Sequence, residues 1–443
     1  MNHFDILTLG NAVIVVVALY QLRVCTLILA GNNMLVTMAL GTISRYGRPA
    51  SQGFVPGYVF SDENLSTAFV IMAISLASLV GFIIVSARRR VRIGPEAPAV
   101  PRAVLIAIAA YLAAVMVSSG TLFTGAYMVG QTQRYDMPLG GGHTTLICSL
   151  LVYELTRRRL LFLITARKAF LLVFVIFVAT GYAKGGTGLP AGYLVTSAFL
   201  LLPRTGAARR LRNMVRITVA LMAVVALSLT VRGVRASFHE EGMDAVRAFV
   251  ESASGAEDAQ EARGEGLEAT ANASQYAAHM LECITLYDAG FSREWRSIYN
   301  VVEYTFKPSF LLKTFGWKRS IEAAWELADH FIQGGGIDVL GEFYWNGGFL
   351  CVVIMATALS FFCFVIDEKY RESPFWLMML AQFAPSFFMG YGYGFAQVSR
   401  GAINGLLVAV VYKGLSSISI GMFAGAPRSE SVANLAVSPG AGP

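Results

Sequence analysis

The sequence predicts an all-α, polytopic membrane protein with about ten or eleven transmembrane helices and one large external loop. Of its 443 residues, 55% are hydrophobic and only 14% are charged, whereas soluble domains usually carry about 25% charged residues. Apolar stretches long enough to cross roughly 30 Å of hydrocarbon recur along the chain, so one signal peptide does not explain them. The spans should be helical because lipid offers backbone groups no hydrogen-bond partners.

The segment 1–231 is predicted to form an N-terminal bundle of transmembrane helices. Residues 1–42 are ambiguous, since they form either two short spans that turn near Arg23 or one long kinked span. The first choice gives a total of about eleven spans and the second about ten. Further spans of this bundle are expected at about 66–86, 143–156, 169–183, 187–203 and 215–231.

Basic residues cluster at the ends of the apolar stretches. They occur at 88–92, 157–159, 204–216 and 367–371, and the positive-inside rule assigns these clusters to the cytoplasm. The intervening loops then face outside, and the largest of them covers residues 232–345. Acidic residues outnumber basic ones in this loop, so the net charge of +7 comes from the cytoplasmic clusters and does not indicate a nucleic-acid partner.

The large loop and the segments after it have distinct compositions. Residues 254–274 are rich in Ala, Glu and Gly, so they should be mobile or loosely helical. Apolar residues recur with helical spacing in 276–287 and in 320–333, and the second of these helices should lie on the outer membrane surface with its apolar face toward lipid. Transmembrane helices are predicted again over 346–420, and a disordered cytoplasmic tail over 421–443.

Several classes of site are disfavoured by the sequence. The five cysteines show no CxxC spacing and the five histidines no HExxH pattern, so neither a disulfide framework nor a metal site is expected. The glycine-rich run GYAKGGTG at 181–188 follows an apolar helix rather than a strand, which argues against a phosphate-binding loop. No DxD-type pair lies in a cytoplasmic domain large enough to hold a nucleotide sugar, and no cofactor is predicted.

Several cations are predicted on the external side of the membrane. An isolated cation in such a place is more often an interfacial side chain that extends toward water. Several together could bind a diphosphate, which needs more than one cationic donor. The candidates lie near helix ends, in short glycine-rich loops and in the large loop, and they are Lys184, Arg232, Arg235, Lys318, Arg319 and Arg400.

The run GEFYWNGG at 341–348 stands directly before a long apolar stretch. Glu342 is either an ordinary solvated carboxylate or a general base near the membrane surface, and the residues alone leave both readings open. Burial beside aromatic neighbours would raise the pKa of such a carboxyl group toward the range that a base needs. Tyr344 and Trp345 are either interfacial anchors or platforms for a sugar ring.

These features resemble the O-antigen and exopolysaccharide repeat-unit polymerases of the Wzy type. In that family, a large external loop ends in a GE-aromatic-Asn-Gly run directly before a span, as GEFYWNGG does here. YTFKPSFLLKTFGWKR (304–319) resembles the basic, proline-containing stretch of the same loop. GYAKGGTGLPAGYLVTSAFLLLP (181–203) resembles the family's glycine-rich loop and the span after it, with Lys184 where an arginine is expected.

The resemblance implies a glycosyltransferase of the bacterial inner (plasma) membrane with its large loop in the periplasm. It would join oligosaccharide repeat units carried on undecaprenyl diphosphate into O-antigen or exopolysaccharide, without a metal or a cofactor. Glu342, Arg400 and Arg232 would be catalytic. The substrate-binding residues would be Lys184, Arg235, Lys318, Arg319, Tyr344 and Asn346. A flippase and a chain-length regulator would be its protein partners.

Other functions stay open at this point. O-antigen ligases share the general layout, but the histidine that they carry directly before the loop's final helix is lacking here, since His330 lies well upstream of Glu342. A transporter usually places ionisable residues or broken helices near the bilayer midplane, and the predicted spans contain few of these. A purely structural membrane partner is the remaining alternative.

Overall fold

The computed structural model of the protein describes residues 2–47, 56–87, 191–196, 211–219, 222–224, 262–306, 323–331, 336–370, 373–390 and 394–423. These residues are mostly helical, which confirms the all-α prediction. The main helices are α1 (His3–Gln21), α2 (Val24–Tyr46), α3 (Asp62–Ala87), α4 (Ala262–Asp288), α5 (Arg296–Phe306), α6 (Ala323–Phe331), α7 (Val339–Lys369), α8 (Pro374–Gly390) and α9 (Phe395–Phe423). Within this described part, α1, α2, α3 and α7 are long and apolar enough to cross a membrane. The protein is therefore a polytopic membrane protein.

The N-terminal segment forms two antiparallel helices rather than one kinked helix. The turn between α1 and α2 lies at Leu22, which has a left-handed backbone with a φ of 56°, and at Arg23. At the other end of the pair, the side-chain amide of Asn2 donates to the hydroxyl of Ser44 over 2.9 Å. Of the two arrangements that the sequence left open for residues 1–42, the structure therefore has the one with a turn.

Two acidic residues at the end of α7 hold this turn in place. The carboxylate of Asp367 accepts hydrogen bonds from the backbone N–H groups of Cys25 (3.0 Å) and Thr26 (2.8 Å), which belong to the first turn of α2. An anion is favourable at a helix N-terminus because the first N–H groups of the helix have no internal partner. Arg23 also forms an ion pair with Glu368. The α1–α2 turn and the C-terminal end of α7 thus lie on the same side of the bundle.

Helix α7 begins before the predicted loop boundary between residues 345 and 346. Asp338 is its N-cap, and the carboxylate of this residue accepts from the N–H of Gly341 over 2.8 Å. The first part of the GEFYWNGG run is therefore helical. Gly347 and Gly348 then depart from helical backbone angles and kink the helix before its apolar part.

The described part of the large loop packs on the start of α7. Helix α4 contains the predicted helix 276–287 and extends it toward the N-terminus, into a segment for which loose structure was expected. The two helices cross at Gly341, where an added side-chain carbon would come within 2.7 Å of the Cα atom of Met280. The side-chain amide of Asn64, in α3, donates to the hydroxyl of Thr285 over 2.9 Å. The loop thus contacts both the N-terminal bundle and α7.

Helix α6 corresponds to the helix predicted at 320–333. Its residues Leu327 and Phe331 are buried, whereas Asp329 and His330 are exposed. Helix α6 also contacts α4. Phe331 belongs to the face that was expected to meet lipid, and at this position the face is covered by the protein itself.

Helices α8 and α9 form an antiparallel pair that packs closely through glycine. A side-chain carbon at Gly401 would come within 2.6 Å of the Cβ atom of Ser386. One turn further along α9, a side-chain carbon at Gly405 would lie 3.3 Å from the carbonyl oxygen of Met379. Small residues allow such close approach of helices in membrane proteins.

Several sequence predictions fall outside the described residues. They concern the spans at 143–156 and 169–183, most of the spans at 187–203 and 215–231, residues 254–261, and the tail after Phe423.

Candidate functional site

Glu342 lies in the first turn of α7, and only 1% of its surface is exposed. Its Oε2 atom accepts a hydrogen bond from the backbone N–H of Phe395, the first residue of α9, over 2.7 Å. Its Oε1 atom accepts from the hydroxyl of Ser297 in α5 and lies 3.7 Å from a guanidinium nitrogen of Arg293. The carboxylate therefore joins three segments that are far apart in sequence, and each of these partners is a donor, as an ionised carboxylate requires.

The hydroxyl group of Ser297 is the centre of this network. It donates to Glu342 and accepts from the guanidinium group of Arg293 (2.8 Å) and from the side-chain amide of Asn346 (2.8 Å). The N–H of Ser297 also donates to Oδ1 of Asn346 over 3.0 Å. A hydroxyl offers one donor and two acceptor sites, and these contacts use all of them. The orientation of the Ser297 side chain is therefore fixed by its neighbours.

Arg293 supplies positive charge to the network and is also 1% exposed. Its Nε atom donates to Oε2 of Glu326 in α6 over 2.9 Å. Its guanidinium group lies over the ring of Trp345, 5.3 Å from the ring centroid, so this face of the ring is occupied by the protein. An unpaired charge inside a protein is costly, and Glu326 and Glu342 compensate this one from two sides.

The kink in α7 allows the loop to bond directly to the helix backbone. The carbonyl groups of Trp345 and Asn346 accept hydrogen bonds from the N–H groups of Arg293 (3.0 Å) and Trp295 (3.1 Å). In an uninterrupted helix, these carbonyls would accept from the amides four residues later. The loop segment thus replaces the missing helical partners, and the kink positions Arg293 beside Glu342.

Gly394 closes the site from the side of α9. It has a φ of 92°, a backbone conformation that residues with a side chain rarely adopt. An added side-chain carbon there would come within 2.7 Å of Oε2 of Glu342 and within 2.7 Å of Ile337. Glycine at this position lets α9 start close enough for the N–H of Phe395 to reach Glu342.

Other titratable side chains are buried where α4 meets the start of α7. Burial raises the pKa of Glu282 to about 9 and lowers the pKa of His279 to about 4. Burial also raises the pKa of Asp338 to about 7, and the nearby charge of Glu342 acts in the same direction. The Nδ1 atom of His279 donates to the carbonyl of Gly336 over 2.6 Å. At neutral pH, His279 and Glu282 are therefore uncharged.

The structure brings two of the predicted site residues together. Asn346 lies one turn after Glu342, and its side-chain amide donates to the Glu342 carbonyl over 2.7 Å. The hydroxyl of Tyr344 donates elsewhere, to Asp288 of α4 over 3.0 Å. Arg400 is half-buried on α9, the helix that contacts both Glu342 and α5. The other predicted cations lie outside the described residues, and these are Lys184, Arg232, Arg235, Lys318 and Arg319.

Arg293, Ser297 and Glu326 were missed by the sequence interpretation. Ser297 and Glu342 are 45 positions apart, so no local spacing connects them. One signal was available, because the polar residues Arg293, Ser297 and Asn300 recur with the spacing of a helix face. That pattern predicts a polar face on α5 but does not identify what the face contacts.

The network holds the carboxylate of Glu342 in one position and buries it away from solvent. A general base must come within hydrogen-bond reach of the proton that it removes, and both oxygens of Glu342 already accept from Ser297 and Phe395. The geometry therefore suits a group that orients its surroundings and places a charge. Among the residues that the structure describes, no group of His, Cys, Asp and Glu side chains is arranged to hold a metal ion.

No protein-family model matches the chain, and no curated protein or solved structure is significantly similar to it. The residues of the site and the sequence patterns around them are therefore the features that indicate a function.

Proposed function

We propose that the protein is a membrane glycosyltransferase that polymerises oligosaccharide repeat units carried on undecaprenyl diphosphate, at the periplasmic face of a bacterial inner membrane. One observation carries the proposal. Glu342, from the run that resembles the polymerase family, is a buried carboxylate held by donors from α5 and α9 at one end of a membrane-spanning helix. Buried charges in and beside membrane spans are costly, and they usually mark functional sites.

In the proposed reaction, a hydroxyl group of the incoming repeat unit attacks the anomeric carbon of the growing lipid-linked chain. A glycosidic C–O bond forms while the bond between the anomeric carbon and a diphosphate oxygen breaks. The diphosphate leaves with the electron pair of that bond, and a general base takes up the proton of the attacking hydroxyl. The products are a chain longer by its transferred units, still carried on the acceptor lipid, and free undecaprenyl diphosphate.

Glu342 has two candidate roles in this reaction, as the general base or as a group that orients the acceptor. Its burial and its existing hydrogen bonds favour the orienting role, because a base has to reach the acceptor hydroxyl. Tyr344 and Asn346 are the candidates for sugar contacts. Both side chains bond to protein atoms in the described structure, to Asp288 and Ser297, so binding a sugar would require them to exchange partners.

Arg400 is our candidate for stabilising the leaving diphosphate. It is half-buried on α9, whose first N–H group bonds to Glu342. The diphosphate gains negative charge in the transition state, and one well-placed donor to a developing anion is typically worth about 3 kcal/mol. Arg232 would act in the same way. The substrate diphosphate would also contact Lys184, Arg235, Lys318 and Arg319.

Deletion of the gene followed by complementation tests the proposal. Surface polysaccharide would be resolved on a gel for the deletion strain and for strains that carry the wild type, Glu342→Gln or Arg400→Ala. We expect only single-repeat products without the gene, long chains with the wild type, and short products with both variants. Immunoblots of the membrane fraction would separate loss of activity from loss of the protein.

Two matched variants serve as controls, and two results would contradict the proposal. Glu294→Gln removes an exposed carboxylate of the same loop, and Arg45→Ala removes an exposed arginine that pairs with Asp5, so both should restore long chains. Loss of lipid A-linked glycan while long lipid-linked chains persist would indicate a ligase instead. An unchanged polysaccharide profile in the deletion strain would exclude the glycan function and favour a transporter.

A further inference from the structure

Helix α5 and the turn before it have a polar face that is buried inside the protein. The residues of this face are Arg293, Ser297, Asn300 and Glu303, and each is 6% exposed or less. Arg293 and Ser297 belong to the network around Glu342. Helix α5 also packs against α9. The polar face is therefore the inner face, in contact with the site.

The opposite face of the same segment is apolar and exposed. It consists of Ile298, Tyr299 and Val302 on α5 and of Phe291 and Trp295 in the turn before it, and all five are between 37% and 59% exposed. A helix on the surface of a soluble domain shows the reverse arrangement, with its apolar face inward and its polar face in water. An exposed apolar patch of this kind marks a surface that meets another apolar partner.

The apolar face continues the lipid-facing surface of α7. The ring of Trp295 lies at the kink, where a side-chain carbon on Gly347 would come within 3.3 Å of it. Immediately after the kink, Phe349, Leu350 and Val353 are exposed on the membrane-spanning part of α7. Exposed apolar residues on a membrane span face hydrocarbon. The exposed face of α5 therefore borders directly on a surface that lipid covers.

We infer that α5 is an interfacial helix whose apolar face is inserted among the acyl chains of the bilayer lipids. An amphipathic helix in this position lies along the membrane plane, with its apolar side chains below the headgroups. The sequence favoured 320–333 for such a helix, but two apolar residues of α6 are buried in the protein. The assignment of α5 does not rest on the proposed function. In this position, α5 alone lies between the Glu342 network and the lipid, and a helix is about 10 Å across.

Site-specific photocrosslinking in lipid tests the inference. The photoreactive amino acid p-benzoyl-phenylalanine would replace Ile298, Tyr299 or Val302, one at a time, in the full chain reconstituted in nanodiscs of phosphatidylethanolamine and phosphatidylglycerol. Irradiation joins the benzophenone group to a neighbouring C–H bond, and intact-protein mass spectrometry detects the added mass of one phospholipid. Tyr299 is already aromatic and exposed, so this replacement should fold even where the others do not.

Two further positions provide matched controls. Leu350, exposed on the span itself, should give phospholipid adducts, whereas Arg296, exposed on α5 at the edge of the polar face, should not. We expect the three test positions to give adducts with yields close to that of Leu350 and several-fold above that of Arg296. Adducts at the level of Arg296 would overturn the inference. So would crosslinks to a second copy of the chain in place of lipid, since a protein would then cover this face.

Discussion

The side chain of Ser297 carries one hydroxyl group that holds three other members of the site. It bonds to Arg293, Asn346 and Glu342, all of which are buried. Hydrogen bonds to charged groups contribute about 1.5–3 kcal/mol each, and more is lost when the partners remain buried without a replacement. Removing the single oxygen atom of the Ser297 side chain should therefore break several hydrogen bonds of the site at once.

We expect Ser297→Ala to lower the free energy of unfolding by about 2 kcal/mol or more, because Arg293 and Glu342 lose a shared partner. Denaturant titration of the protein in detergent micelles would measure the change. Ser292→Ala is the matched control, since that hydroxyl contacts no charged side chain: it donates over 3.5 Å to the carbonyls of Trp345 and Asn346 and accepts from the N–H of Glu294 over 3.2 Å. Equal stability of the two variants would show that the Ser297 hydroxyl does not hold the network together.

Buried Glu282 predicts a pH dependence of stability with a definite sign. Its pKa is about 9 in the folded protein and near 4.5 in an unfolded chain, so the folded state holds a proton that the unfolded state has lost. Stability should fall as the pH rises through this range. His279 has the opposite effect, since its pKa is about 4 in the folded protein and 6.5 in an unfolded chain. It makes stability rise with pH, but only below pH 6.5. Asp338 adds to the fall up to a pH of about 7.

Between pH 6.5 and 9, the thermal unfolding midpoint of the wild type should therefore decrease. In Glu282→Gln, most of this decrease should disappear, because the amide cannot lose a proton in that range. Scans at one fixed rate in the same detergent would give the comparison, with Glu63→Gln as a control at an exposed position. A decrease that is equally steep in the Glu282 variant would assign the pH dependence to other groups.

At the scale of secondary structure, the kink divides α7 into a part that belongs to the site and a part that crosses the membrane. Gly348 makes the division possible with a φ of 60°, and an added side-chain carbon would lie 2.7 Å from the hydroxyl oxygen of Tyr287. A residue with a side chain would be strained there, at a cost of about 1–3 kcal/mol. Displacing Tyr287 would add to this cost.

Gly348→Ala should therefore destabilise the protein by about 1–3 kcal/mol. Gly31→Ala, within α2, provides a control of opposite sign, because open space surrounds that position and alanine favours a helix by about 0.5–1 kcal/mol. Both variants would be compared with the wild type by denaturant titration. A neutral result for Gly348→Ala would mean that the backbone there can straighten without loss.

The start of α7 shows what the sequence could and could not predict about single elements. The apolar run after Gly348 predicted the span, because hydropathy is a local property of the chain. Residues 341–345 of the preceding GEFYWNGG run were assigned to the loop, although Asp338 offered a usable N-cap signal. The contact between Ser297 and Glu342 could not be predicted, since it depends on how distant segments pack. The amphipathic spacing near 291–303 was visible, but spacing does not reveal which face turns inward.

At the scale of the whole molecule, the contacts at the two ends of the bundle define a topology. The α1–α2 turn lies beside the end of α7 through Arg23 and Glu368, while Asn2 and Ser44 lie at the opposite end. The positive-inside rule predicts that the end of α7, with the cluster at 367–371, faces the cytoplasm. The N-terminus is therefore expected outside, on the same side as Glu342. The fold class could be predicted from composition. Which helix ends lie on the same side of the bundle could be seen only from the long-range contacts in the structure.

Cysteine labelling in spheroplasts would check this topology. Cysteine in place of Asn2 or Tyr46 should react with a membrane-impermeant maleimide before permeabilisation, and cysteine in place of Ser373 only afterwards. The native cysteines in the described part of the chain are buried, and the unsubstituted protein gives the background. Labelling of Asn2 and Tyr46 from opposite sides would contradict the N-terminal hairpin, and labelling of all three positions from the same side would contradict the placement of Ser373 at the other end of the bundle. A complete reversal would keep the hairpin but invert the orientation.

The hydrogen bonds from Arg293 and Trp295 to the carbonyls in front of the kink also have a kinetic consequence. Both amides lie outside regular helix, where protons normally exchange with solvent deuterium quickly. We expect them to exchange only when the loop detaches from α7, so the slowing of their isotope uptake measures the free energy of that detachment. A peptide that spans residues 291–296 would then report how often the site opens, without any need for the substrate.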